Sequence, residues 1–133
     1  MDIMFFSDKS IIYIAEYIRS HIIESFKEDR KISYWDGSLC ISSKYYDVAI
    51  ESSLNYIGSE TWKVLNDICN DYDIDINTSV SIDIYSKTYS TGIINARNLA
   101  KKLLEIFPGD ALITDDSGSV LYKKRSGTTV GII

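Results

Sequence analysis

Ser79-Val80-Ser81-Ile82-Asp83-Ile84-Tyr85 alternates apolar and polar side chains without a break. Successive side chains of a strand point to opposite faces, so Val80, Ile82 and Ile84 mark a buried side and Ser81, Asp83 and Tyr85 a wet one. A half-buried strand needs neighbours of the same kind, and the flanking sequence offers them. Tyr45–Glu51 is rich in β-forming residues. Lys31–Trp35 and Ser38–Ser42 flank Asp36-Gly37, a dipeptide that accepts the positive φ angles of a two-residue hairpin turn. After Pro108-Gly109, three short runs (Asp110–Thr114, Ser119–Lys124 and Thr128–Ile133) are separated by Asp115-Asp116-Ser117-Gly118 and Ser126-Gly127, both turn-forming stretches.

Helical spacing fills the gaps between these strands. Ile11, Ile14/Ala15, Ile18, Ile22 and Phe26 recur every three or four residues, which predicts a helix ending near Arg30, with Ser7 as its cap and Asp8 in its first turn. Gly58-Ser59-Glu60 introduces a second helix through Trp62, Leu65, Ile68/Cys69 and Tyr72. A third follows Thr91-Gly92, turning Ala96, Leu99/Ala100, Leu103 and Phe107 inward and Arg97, Lys101 and Lys102 outward, until Pro108-Gly109 stops it. No linker or repeat divides the 133 residues. The expectation is one α+β domain spanning residues 1–133: a largely antiparallel sheet with about three helices packed on it, covering one face.

Charge is concentrated rather than spread. Between Asp47 and Ser86 eight acidic side chains face a single base, Lys63, a local net of −7 in a chain whose total is −5. Such a segment attracts cationic partners and repels nucleic acid. Asp71-Tyr72-Asp73-Ile74-Asp75 has the alternating carboxylates of a calcium loop, yet Ile76 and Ile82 occupy the positions where that loop needs glycine and a bidentate glutamate. Read as the approach to a strand, Asp71, Asp73 and Asp75 share one face, either a solvated strand entry or a contact surface for lysines and arginines of another protein.

Reaction chemistry has little to work with. His21 is the only histidine, on an edge of the first helical stripe, and no nucleophile elbow or two-histidine metal site accompanies it. Asp115 and Asp116 precede Ser-Gly and read as turn formers. Gly109 and Gly118 build no phosphate loop. Cys40 and Cys69 match no zinc or redox spacing and read as two reduced core thiols. No catalytic residue, cofactor or metal is therefore expected. Met1-Asp2 opens without a basic leader, and no apolar run reaches the roughly 20 residues a membrane span needs, which points to the cytoplasm. Tyr34, Trp35, Tyr45 and Tyr46 cluster around the first hairpin and supply candidate apolar anchors beside the acidic segment.

Leu99-Ala100-x-x-Leu103-Leu104-x-x-Phe107-Pro108-Gly109-Asp110-Ala111-Leu112, followed by Asp115-Asp116-x-Gly118-x-Val120-Leu121-Tyr122-x-x-Arg125, resembles the C-terminal half of bacterial immunity proteins of the Sit-type and contact-dependent-inhibition groups. The resemblance covers roughly residues 72–126 and includes the alternating strand Ser79–Tyr85. The matched positions are mostly core and turn residues, and the long N-terminal helix and first hairpin depart from the shorter members. The resemblance implies a cytoplasmic protein that binds the C-terminal effector domain of a cognate toxin, often a cationic nuclease, so that the producing cell survives. It implies no catalytic residues. The expected contacts to toxin bases are Asp67, Asp71, Asp73, Asp75 and Asp83, with Tyr34 or Trp35 as anchor. Nucleic acid and membrane are not expected partners, and self-association is left open. The alternative is a small acidic structural or regulatory subunit that binds a basic host protein.

Overall fold

The computed structural model describes residues 1–21, 32–35, 37–53 and 59–133, with Trp35 described through its backbone alone. Among them eight strands form one antiparallel sheet: β1 (Asp2–Phe5), β2 (Ile32–Trp35), β3 (Ser38–Ser42), β4 (Tyr46–Ser52), β5 (Thr78–Ile84), β6 (Ala111–Thr114), β7 (Val120–Arg125) and β8 (Thr128–Gly131). Their order across the sheet is β2-β3-β4-β5-β1-β6-β7-β8. Three helices pack on it, α1 (Ile11–His21), α2 (Glu60–Tyr72) and α3 (Tyr89–Ile106). The α+β class, with about three helices on an antiparallel sheet, is the one the periodicities imply.

The strand at the centre of the sheet is the one the alternation rule misses. β1 pairs with β5 on one side and β6 on the other. Its two neighbours therefore run parallel to each other, with α3 connecting them across the gap that β1 fills. Ile3 and Phe5 join the larger core with α1 and α3, while Met4 joins a second core with Leu65, Ile74, Ile76 and Leu112. Both faces of β1 are covered, so apolar residues occupy consecutive positions and no period of two remains to be read.

The same alternation corrects the expectation that all helices cover one face. Ile3 and Phe5 of β1, Val80 and Ile82 of β5, and Ala111 and Ile113 of β6 lie on the side of α1 and α3. Met4 and Leu112 point the other way and meet Leu65 of α2. The sheet is thus sandwiched unequally: two helices on one face and one on the other.

Local chemistry sets the helix ends. The α1 cap is Ser10 and not Ser7, since Ser10 Oγ accepts from the Tyr13 N–H at 3.3 Å, while Ser7 Oγ closes a turn with the Lys9 N–H at 2.9 Å. Ser59 caps α2 through the Trp62 N–H at 3.1 Å. Asp73 ends α2 in the left-handed region, φ +53°. α3 starts at Tyr89, ahead of the Thr91-Gly92 pair expected to precede it, and carries both residues inside it. A Cβ on Gly92 would stand 2.6 Å from Ile84 Cγ2 and 3.3 Å from the Tyr45 carbonyl, so glycine lets the helix seat closely on β5. The expected hairpin forms, with Trp35 opposite Ser38 and Gly37 at φ +84°. Asp36, Gly58 and the expected helical stretch from Ile22 to Arg30 lie outside the described residues.

Candidate partner-binding surface

The acidic residues singled out in the sequence do not gather in one place. Asp67 and Asp71 are exposed on α2. Asp71, Asp73 and Asp75 do not line one face of a strand, because Asp71 is helical, Asp73 is the left-handed cap and Asp75 follows in coil. Asp73 is paired with Arg125 of β7. Next to it, the Asp75 N–H donates to Asp110 Oδ2 at 3.0 Å, and Asp110 Oδ1 takes the Ser126 N–H at 2.8 Å. These bonds tie the end of α2 to the β7–β8 turn, and Lys123 sits 5.7 Å above the Tyr72 ring beside them. Asp73 is thus already paired within the chain, at the surface.

Asp83 stands elsewhere, on the sheet face that only α2 covers. The β4–β5 register sets Asp47 directly opposite Asp83, with Ser42 of β3 next in the same row. The adjacent row runs Ser33, Cys40, Ala49, Ser81, Asp2 and Thr114 across six strands. α2 lies over the row beyond that, where Met4 and Leu112 meet Leu65. Among the described residues no helix covers the other half of this face, which is built from small side chains and edged by carboxylates. Like charges directly opposite on a sheet cost stability, on the order of 0.2–1 kcal/mol. The Tyr85 hydroxyl donates to Asp47 Oδ1 at 2.6 Å, whereas no cation among the described residues pairs with Asp83 or Asp2. Burial first, then the Glu51 and Asp47 carboxylates, push the Cys40 thiol above its ordinary value and keep it protonated.

No family model matches this chain, and no curated protein or solved structure matches it.

Tyr34 is 71% exposed on β2, and its register opposite Leu39 puts it on the α1 side of the sheet, away from the carboxylates. Trp35 is placed by its backbone alone, opposite Ser38. Asp47 lies within the expected strand Tyr45–Glu51 and belongs to this face, as does Asp2. Strand parity is the signal for Asp47, since the Tyr46, Val48 and Ile50 stripe faces the core. For Asp2 no such signal exists, because β1 does not alternate.

Asp115, Asp116 and His21 are each engaged within the chain. Asp115 Oδ1 accepts from the Ser117 hydroxyl at 2.6 Å, the Ser119 N–H at 2.9 Å and the Ser117 N–H at 3.0 Å. These bonds hold its carboxyl below the ordinary value, the Ser117 hydroxyl contributing most. Asp116 Oδ1 lies 2.8 Å from the Met1 ammonium. The His21 ring stacks on Tyr17 at 4.1 Å, and its Nδ1 lies 2.8 Å from the Tyr17 carbonyl. Among the described residues no three His, Cys, Asp or Glu side chains group to hold a metal ion, and no helix is long and apolar enough to cross a membrane.

Proposed function

We propose that this protein is a cytoplasmic immunity protein that binds the basic effector domain of a cognate toxin through the acidic face of its sheet and so protects the cell that makes both. The observation that carries the reading is Asp47 opposite Asp83 on the half of the sheet that no helix among the described residues covers. A fold that keeps two like charges in register, at a cost to its own stability, gains from a cationic partner that neutralises them. Complementary charge also speeds encounter, which suits a protein that must reach a toxin before the toxin reaches its substrate. The resemblance over roughly residues 72–126 supports the same reading from the fold side.

Co-expression tests it. The C-terminal domain of the protein encoded immediately upstream is produced alone and together with this chain. Restored growth in the second case, with the two proteins co-eluting, is the expected result. Continued growth arrest with both proteins soluble and separate would sink the reading. Recovery of a basic host protein in place of a toxin domain would move it to the regulatory-subunit alternative.

A further inference from the structure

We infer that this face carries one continuous groove whose occupant is an apolar side chain of the partner, aromatic or long aliphatic, followed closely by a lysine or arginine that Asp2 holds. The inference rests on the binding reading above and specifies what the partner must present.

Two of the contacts between α2 and the sheet border a cleft. Its apolar side, Leu65, Ile68 and Tyr72, packs on Met4 and Leu112. Near its start, the Thr61 hydroxyl donates to Glu51 Oε2 at 2.5 Å, and the other oxygen of that carboxylate takes the Ser38 hydroxyl at 2.6 Å. Beside these contacts the cleft, of about 420 Å³, stays open, with Met4, Leu65, Ile68 and Leu112 among its walls. A second depression of about 560 Å³ covers the bare rows, including Cys40, Asp47, Ala49 and Asp83. Asp2 and Ser81 line both, so the two hollows meet at Asp2.

The lining decides the occupant. Among the described residues every ionised side chain lining the two hollows is a carboxylate, and the one cation there, the Met1 ammonium, is held by Asp116 and the Ile82 carbonyl. Phosphate and acidic peptide are excluded by charge, and a wholly polar cation by the apolar walls of the cleft. Glu51 is already satisfied by two hydroxyls, and Glu60 has Lys63 3.6 Å away. Asp2 is the unpaired carboxylate at the junction. The cleft volume lies within the range of ordinary ligand pockets, large enough for an indole or a phenol. A buried aromatic with an adjacent cation is the combination that holds an interface after charge has steered it.

Tryptamine is the probe, an indole with an ammonium two carbons away. Indole-3-acetate carries the same ring with the opposite charge, and ethanolamine carries the charge without the ring. Titration of each into the isotopically labelled full chain, followed by amide chemical shifts, reads the site directly. A ligand of about a dozen non-hydrogen atoms binds at about millimolar Kd when it fits. Saturable tryptamine shifts at Met4, Leu65, Ser81 and Leu112, with both controls about tenfold weaker, are expected. Asp2→Asn should weaken tryptamine about five- to tenfold, and Ser81→Leu should abolish its binding by filling the junction. Equal binding of indole-3-acetate, shifts centred on the separate cavity beside His21 and Asn98, or no saturation up to about 20 mM would each overturn the groove. Those outcomes leave co-expression rescue untouched, and a failed rescue leaves the tryptamine result standing.

Discussion

Asn77 completes Ser7 from both sides: its Oδ1 accepts the Ser7 N–H and its Nδ2 donates to the Ser7 carbonyl, each at 2.9 Å and buried. One side-chain amide thus stands in for a backbone partner just where β1 ends, while the Asn77 N–H donates to the Phe5 carbonyl at 3.1 Å. Removing the amide strands a buried donor and a buried acceptor, costing on the order of 1–3 kcal/mol each before relaxation and water entry. Asn77→Ala is therefore expected to lose about 2–4 kcal/mol, seen as a lower urea midpoint at unchanged slope. A loss within experimental error would show that the pair contributes nothing net.

Gly92→Ala sets two effects against each other. Alanine in mid-helix is worth up to about 1 kcal/mol over glycine. The added methyl meets Ile84 Cγ2 at 2.6 Å and the Tyr45 carbonyl at 3.3 Å, and the carbonyl belongs to a backbone that cannot yield freely. Overpacking of this kind costs typically 1–3 kcal/mol, so net destabilisation by about 1–2 kcal/mol is expected. A rise in melting temperature would show that α3 lifts away without penalty.

Asp83→Asn should stabilise the free protein and weaken the complex. Relief of the opposed pair is worth a few tenths of a kcal/mol, about 0.2–0.5 at low salt, and fades as salt screens it. Association with the effector domain should slow, and its salt dependence should flatten. Asp73→Asn, whose carboxylate is already held by Arg125, should leave the association rate near wild type. Stopped-flow mixing of both variants at two ionic strengths separates the two positions, and a larger effect at Asp73 would refute the sheet-face assignment.

Alkaline stability reports Tyr46. Burial pushes its phenol up to about 12, against about 10 in an unfolded chain. The neutral form is favoured by folding, so this contribution is intact below pH of about 10 and is lost as pH rises through about 12. Two units correspond to about 2–3 kcal/mol. Urea midpoints measured below and within that window should fall steeply for wild type and less for Tyr46→Phe. Parallel curves would assign the alkaline loss to other tyrosines.

Elements with one wet face were legible in the sequence. β4 and β5 alternate because only one of their faces is packed into the larger core, and α2 and α3 show their stripes because one side of each is wet. β1 was illegible for the opposite reason, since helices on both faces make Ile3-Met4-Phe5 uniformly apolar. Asp71-Tyr72-Asp73-Ile74-Asp75 misled because carboxylates two apart fit a strand, whereas the left-handed turn at Asp73 breaks the run into helix, cap and coil. The acidic bias of the segment was visible, but the choice of which carboxylates share a face needed the register. That register depends on which strands meet, through pairings as distant as Asp2 with Thr114.

That same central strand imposes a timetable. β1 pairs with Thr78–Ser81 on one side and Ala111–Thr114 on the other, so on the ribosome its second side stays open until residues 111–114 have been translated. At about 5–20 residues per second the delay is roughly 5–20 s. Until then Ile3, Met4 and Phe5 lack their partners Ile113, Leu112 and Ala111, and the two halves of the sheet have no seam to join them. Asp2, the carboxylate where the two hollows meet, takes its place only when that seam closes. Under the proposed function a newly made molecule would give no protection through that groove during this interval, so a cell carrying the pair would need a standing reserve of finished protein before the toxin appears.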